Sequence, residues 1–177
     1  MERQMTETRT QIRTYVDSHP GVHFNGLVRS LDLAPGQVQH HVRRLVEAEA
    51  VVREEFYGRT HYYSPGLTEW ERATVALYHR GTAREVLEAL LEDEEARPAA
   101  LAEDLDVARS TLEWHVGHLE AEGVVEKRRD IRNRVTLVLD RPAATAALLS
   151  RLDADAVAAM ERNADAAGTG EAPVDAD

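Results

Sequence analysis

Across residues 6–18, Ile12, Tyr15 and Val16 recur at helical spacing, and the run stops at His19-Pro20-Gly21, a cluster that breaks helices. The pattern predicts a helix from Thr6 to Ser18. A short second helix is predicted near Asn25 to Leu31, with Leu27, Val28 and Leu31 inward and Asn25 as its N-cap. A third is predicted from Pro35, a residue suited to the first helical position. Two strands are then expected, Val51–Tyr57 and Thr60–Ser64, with Gly58-Arg59 as the turn between them. The same succession returns downstream. Helices are expected at Arg84–Leu91, Pro98–Leu105 and Arg109–Glu122, then strands at Val124–Arg129 and Arg134–Asp140 around a turn at Asp130 to Asn133. Leu67–His79, with Trp70, Ala73, Val75, Leu77 and Tyr78, reads as an amphipathic helix joining the two series. Ala143–Met160, split at Asp153, is rich in Ala and Leu and reads as helical.

The recurrence extends to individual residues. At an offset of 74, Leu31-Asp32-Leu33-Ala34 lies over Leu105-Asp106-Val107-Ala108. Likewise Leu27 lies over Leu101, Val38 over Leu112, and His41-Val42 with Leu45 over His115-Val116 with Leu119. With one extra residue in the first copy, Ala48-Glu49-Ala50-Val51-Val52 lies over Ala121-Glu122-Gly123-Val124-Val125. Such spacing points to an internal repeat. Three helices followed by a β-hairpin form a winged helix-turn-helix. The expected fold is therefore mainly α with small β-wings (α+β), two winged domains in tandem. The expected boundaries are residues 1–66 for the first domain, 67–81 for a linker helix and 82–140 for the second domain. Residues 141–165 are expected as a C-terminal helical segment and 166–177 as a disordered acidic tail.

The segment Val107–Val125, with its turn, small polar residues, His115-Val116, Leu119 and Gly123-Val124-Val125, resembles the recognition-helix stretch of ArsR-like and related prokaryotic winged-helix regulators. Leu33–Val52 resembles it too, and the likeness covers roughly residues 6–64 and 82–140. Paired winged helices in one short acidic chain resemble haloarchaeal transcription regulators in particular. The resemblance implies a DNA-binding regulator. Ala34 and Ala108 depart from it, standing where a Ser cap is usual. Thiolate metal sensing is not carried over, because the chain has no cysteine.

Composition sharpens this picture. The chain has 177 residues, 32 acidic against 21 basic, for a formal net charge of −11, and Lys127 is its one lysine. Zero cysteine removes disulfides, thiolate zinc sites and cysteine nucleophiles. Apolar runs are only a handful of residues long, so no membrane-spanning helix is expected, and a cytoplasmic protein is. Acidity ordinarily argues against nucleic acid, since phosphate attraction depends on Lys and Arg. The competing account is a surface adapted to concentrated salt, as in salt-in halophiles, where net charge bears on solubility. Locally, residues 1–66 balance 8 basic with 8 acidic residues, whereas residues 82–140 carry 8 against 15. Within that acidic region lies a basic island of Lys127, Arg128, Arg129, Arg132 and Arg134.

At 100° per residue, Val38, Val42 and Leu45 of the first copy point inward, with His41 at the edge of that face. Outward lie Gly36, His40, Arg43 and Glu47, flanked by Gln37, Gln39 and Arg44. Gln matches adenine and Arg matches guanine or phosphate in a major groove. The expected base-reading residues are Gln37, Gln39, His40 and Arg43, with Arg44 on phosphate, and Arg53, Arg59 and His61 are expected on the wing. In the second copy Ser110, Trp114, Gly117 and Ala121 face outward, flanked by Thr111, Glu113 and His118. Ser110 and Thr111 are candidate DNA contacts, but Glu113 repels phosphate. An outward Trp114 is the mark of a dimer or partner surface, which leaves protein contact and weak DNA reading open for this helix. The basic island is expected on phosphate, with salt bridges to nearby carboxylates as the duller account.

Eight His invite a metal hypothesis, but a zinc site needs three or four converging ligands. His41 and His115 share one position of the repeat, which points to a hydrogen-bonded structural histidine. No cofactor, metal or catalytic arrangement is expected. The expected partner is double-stranded DNA, bound by a homodimer, with the helices flanking the winged domains as candidate dimer contacts. The alternative is a winged-helix protein-interaction module without sequence-specific readout.

Overall fold

Ile12 and Val16 are wholly buried along one stripe of the first helix, α1 (Glu2–Ser18), and each such burial contributes roughly 1.5–3 kcal/mol. In the computed structural model, which describes residues 1–152 together with residue 157, α1 packs on α2 (Phe24–Leu31) and α3 (Pro35–Glu47). Leu27, Val38, Val42 and Leu45 complete this core. Pro35 opens α3, as expected. The N-cap of α2 is His23 rather than Asn25, and it makes no side-chain cap bond. Asp32 ends α2 in the left-handed conformation with φ 51°, which Asp tolerates better than most residues. Asp106 does the same after the corresponding helix of the second series, with φ 53°.

The first hairpin pairs β1 (Val52–Phe56) with β2 (Arg59–Tyr63) in antiparallel register, Phe56 opposite Arg59. Its turn is Tyr57-Gly58, both at positive φ (47° and 83°), the geometry of a tight two-residue hairpin whose twist suits the strands. The expected turn was Gly58-Arg59. A one-residue shift exchanges the two faces of a strand, and here it makes Arg59 the first residue of β2 rather than part of the tip.

Within residues 1–72, which cluster as one unit, Arg72 ties the hairpin to the start of α4 (Glu69–Tyr78). Its Nε donates to Glu54 at 2.8 Å, and its carbonyl accepts from Tyr63 Oη at 3.0 Å. Ser64 also donates to Asp17 of α1. The second unit begins at Ala73. The boundary between the units thus lies inside α4, the helix expected as a linker.

The second unit contains α5 (Gly81–Asp93), α6 (Pro98–Asp104) and α7 (Arg109–Ala121), followed by β4 (Val125–Arg129) and β5 (Val135–Leu139). A short strand the sequence did not reveal, β3 (Glu95–Ala96), pairs with β5 to make a three-stranded sheet in the order β3-β5-β4. Its counterpart in the first unit is an isolated bridge between Val22 and Tyr62. Leu112, Val116 and Leu119 of α7 join Leu87, Leu90, Val124 and Leu137 in the core. The helix α8 (Pro142–Leu149) follows. The rest of the expected C-terminal segment past Leu152, apart from Val157, and the expected acidic tail lie outside the described residues.

Backbone geometry relocates the extra residue of the first copy. The helices α3 and α7 have 13 residues each at the offset of 74. The left-handed residues that follow, Glu49 (φ 57°) and Gly123 (φ 72°), keep that offset. The additional residue is therefore Ala50, after the turn, rather than one before Ala48.

Candidate nucleic-acid interface

The recognition-helix position of the first unit is α3, whose inward stripe leaves Gln37, Gln39, Arg43 and Arg44 exposed and His40 half-buried. Gln37 has a local task as well. Its Oε1 accepts the backbone N–H of the N-cap residue Ala34 at 3.2 Å, one half of a capping box whose other half Ala34 has no side chain to make. Arg44 lies 4.0 Å from Glu47, with both side chains more than half exposed. His41 is buried, and burial foremost, then Arg9 and His40, pushes its pKa below the ordinary imidazole value. Its Nδ1 has no hydrogen-bond partner among the described residues. His41 is thus buried as expected of a structural histidine, its ring edge-on to His40 at 5.2 Å, but the expected hydrogen bond is not made through Nδ1.

Two expected wing contacts are corrected. Arg59 is 1% exposed and His61 is fully buried. The turn at Tyr57-Gly58 places both on the inner row of β2. His61 donates through Nδ1 to the Gly21 carbonyl at 2.8 Å, and His23 donates to the Thr60 carbonyl at 3.0 Å. Both rings pin β2 to the loop before α2. The exposed cation of this hairpin is Arg53, which hydrogen-bonds the Tyr62 hydroxyl.

In the second unit Ser110 is exposed and Thr111 half-buried at the start of α7. Trp114 is half-buried, not an open apolar patch. The Arg80 guanidinium lies 5.5 Å from its ring centroid, and the His118 and His115 rings lie 4.1 and 4.8 Å away. The basic island occupies β4 and the hairpin tip, where Arg128, Arg129, Arg132 and Arg134 are exposed and Lys127 is half-buried. Carboxylates sit among these cations. Lys127 lies 3.4 Å from Glu113, Arg128 3.6 Å from Glu126, and Arg134 2.7 Å from Asp130. Asp130 also accepts the backbone N–H groups of Arg132 and Arg134 at 2.8 and 3.0 Å. These bonds hold its carboxyl below the usual range and fix the tip, on which Ile131 is fully exposed.

Two grooves flank these helices at corresponding places. In the first unit a cavity of about 550 Å³ lies between α3 and the hairpin, with Gln39 and Arg43 on one wall and Arg53 on the other. In the second unit a cavity of about 470 Å³ is lined by Arg97, Arg109, Lys127, Arg129 and Arg134, with Glu113 as the one carboxylate. Arg97 and Arg109 were missed from sequence. They sit 18 or more residues from the island in the chain, and only the hairpin folding back toward the starts of α6 and α7 brings them beside it.

Comparison with known proteins agrees with the helix-turn-helix fold of both units. A family model described as an N-terminal HTH domain matches residues 6–75, and another described as a helix-turn-helix domain matches residues 77–128. The chain is a tandem winged helix-turn-helix protein. It is 24% identical over 136 residues to an uncharacterized HTH-type transcriptional regulator of Methanocaldococcus jannaschii, over 77% of this chain and 34% of the relative. The tandem protein therefore spans about a third of the length of that relative. Among the described residues, no helix is long and apolar enough to cross a membrane. Nor do three or more His, Asp or Glu converge as a metal site among them.

Proposed function

We propose that this tandem winged-helix protein is a DNA-binding transcription regulator. The observation that carries the reading is the outward face of α3, where Gln39 and Arg43 are exposed beside the half-buried His40. Gln, Arg and His suit base edges in a major groove. Arg44 then lies toward phosphate, as do Arg97, Arg109 and the cations of the second hairpin, so unit 1 reads sequence and unit 2 grips backbone. In this reading Ser110 and Thr111, at the N-terminus of α7, meet a phosphate as well. The likeness to the Methanocaldococcus jannaschii protein, named as a transcriptional regulator, supports the same reading. Within it, a homodimer meets half-sites about one helical turn apart, and the net charge of −11 is an adaptation to concentrated salt.

One observation favours a second reading, a protein-interaction module. Lys127, Arg128 and Arg134 each face a carboxylate within 4 Å, which weakens the field that phosphate would feel. Titration of the full chain with genomic and random duplexes in potassium chloride decides between them. The DNA reading expects preferred sequences to bind more tightly than random ones. It also expects Arg43→Ala to cost about 1–3 kcal/mol on those sequences and to relax one base preference. Equal loss on random duplex removes the base-reading role of Arg43, and no duplex binding at all leaves the interaction module.

A further inference from the structure

The two grooves share a place in the repeat but not a chemistry. At the offset of 74, Phe24 stands where Pro98 stands, Pro35 where Arg109 does, and Gln39 where Glu113 does. The winged fold by itself therefore does not dictate what lines this groove. In the second unit it is lined by five cations. In the first unit Phe24, Val42, Val46 and Tyr62 make its walls mostly apolar.

Val42 and Tyr62 are nearly buried and belong to the core, so they form a rigid floor, while Phe24 and Val46 are half-buried and still present apolar surface. A second cavity of about 290 Å³ shares Phe24, Arg53 and Tyr62 and extends the groove toward the hairpin tip. The larger cavity, at about 550 Å³, falls within the roughly 300–1,000 Å³ of small-molecule sites. Two guanidinium groups, Arg43 and Arg53, line it against one carboxylate, Glu47, and Glu47 already has Arg44 within 4.0 Å. The balance favours an anionic head on an apolar body.

We propose that the groove between α3 and the first hairpin binds a small organic acid with an apolar body, and that the bound acid weakens DNA binding. The apolar body rests on Phe24, Val46 and Tyr62, and its carboxylate meets Arg43 and Arg53, a pairing stronger than a neutral hydrogen bond. The second half of the proposal rests on the DNA reading above. Gln39 and Arg43 line the groove and also stand on the base-reading face, so one group cannot serve acid and duplex together. The coupling is direct competition and needs no change of shape.

The test uses the full chain and the fluorescent probe 1-anilinonaphthalene-8-sulfonate, which has an aromatic body and one anionic group. Saturable binding of one probe per chain is expected, displaced by decanoate more effectively than by uncharged decanol. Val46→Asp and Arg53→Ala alter half-buried and exposed positions rather than the core, and circular dichroism checks that both fold. Each is expected to weaken the probe by about tenfold or more, the scale of a lost charged pair or apolar wall. Non-saturable binding, or equal affinity in folded variants, overturns the site. In the second arm, decanoate is expected to weaken duplex binding by wild type and not by Val46→Asp. Unchanged duplex affinity at saturating decanoate overturns the coupling. If the chain binds no duplex even without acid, the DNA reading and the coupling fall together, and the probe titration still decides the groove.

Discussion

His41 is held neutral at the edge of the α3 core by burial, with Arg9 and His40 adding repulsion to the charged form. Its pKa in the fold lies below the ordinary value near 6.5, which the unfolded chain keeps. The unfolded chain therefore takes up the proton first as pH falls. Stability from this residue is complete above about pH 6.5 and declines as pH drops through that value toward the lower folded pKa. His41→Gln removes the titration. We expect the variant to lose less stability than wild type between about pH 7 and about pH 5.5, read as the urea midpoint. Parallel acid dependence in the two proteins would refute the assignment. His118 is depressed in the same direction by burial and then by Arg80, so the wild-type slope falls but does not vanish in the variant.

At the scale of elements, the second hairpin works as a unit with the starts of α6 and α7. Arg97 and Arg109 share one groove with Lys127, Arg129 and Arg134. Phosphate held there should be lost without regard to sequence. Arg97→Ala or Arg109→Ala is expected to weaken preferred and random duplexes alike and to lower the log–log salt slope by about 1. An unchanged slope would place these two arginines outside the interface. Helices, hairpins and the inward faces of α3 and α7 were legible from periodicity, because a core stripe repeats every turn whatever surrounds it. The inward turn of Arg59 was not. Gly58-Arg59 and Tyr57-Gly58 both contain the glycine a tight turn favours, and choosing between them depends on which strand face meets the helices. The tiny strand β3 was hidden because two residues carry no alternation. The cationic groove was hidden because its members are near in space and far apart in sequence.

For the whole molecule the dominant quantity is a net charge of −11 on 177 residues. Self-repulsion of that size opposes folding until ions screen it. The screening length falls from about 10 Å at 0.1 M salt to about 3 Å at 1 M. Thermal unfolding followed by circular dichroism is expected to shift to higher temperature as potassium chloride rises across that range. A flat or falling midpoint would show that the acidity does not load the fold. The same screening weakens phosphate attraction, so stability and DNA affinity should respond to salt in opposite directions.

The hairpin at Tyr57-Gly58 has a bearing on how such chains can diverge. Its two residues join strands whose inner row, Arg59, His61 and Tyr63, is committed to the interior. Adding or deleting a single residue there would exchange the two sides of β2, taking Arg59 and His61 out of the interior and Tyr62 off its own buried place beside α3. The longer tip around Asp130 projects wholly into solvent and carries no such parity constraint. Drift in length should accumulate at the second tip, while the first stays fixed at two residues across descendants that keep this core.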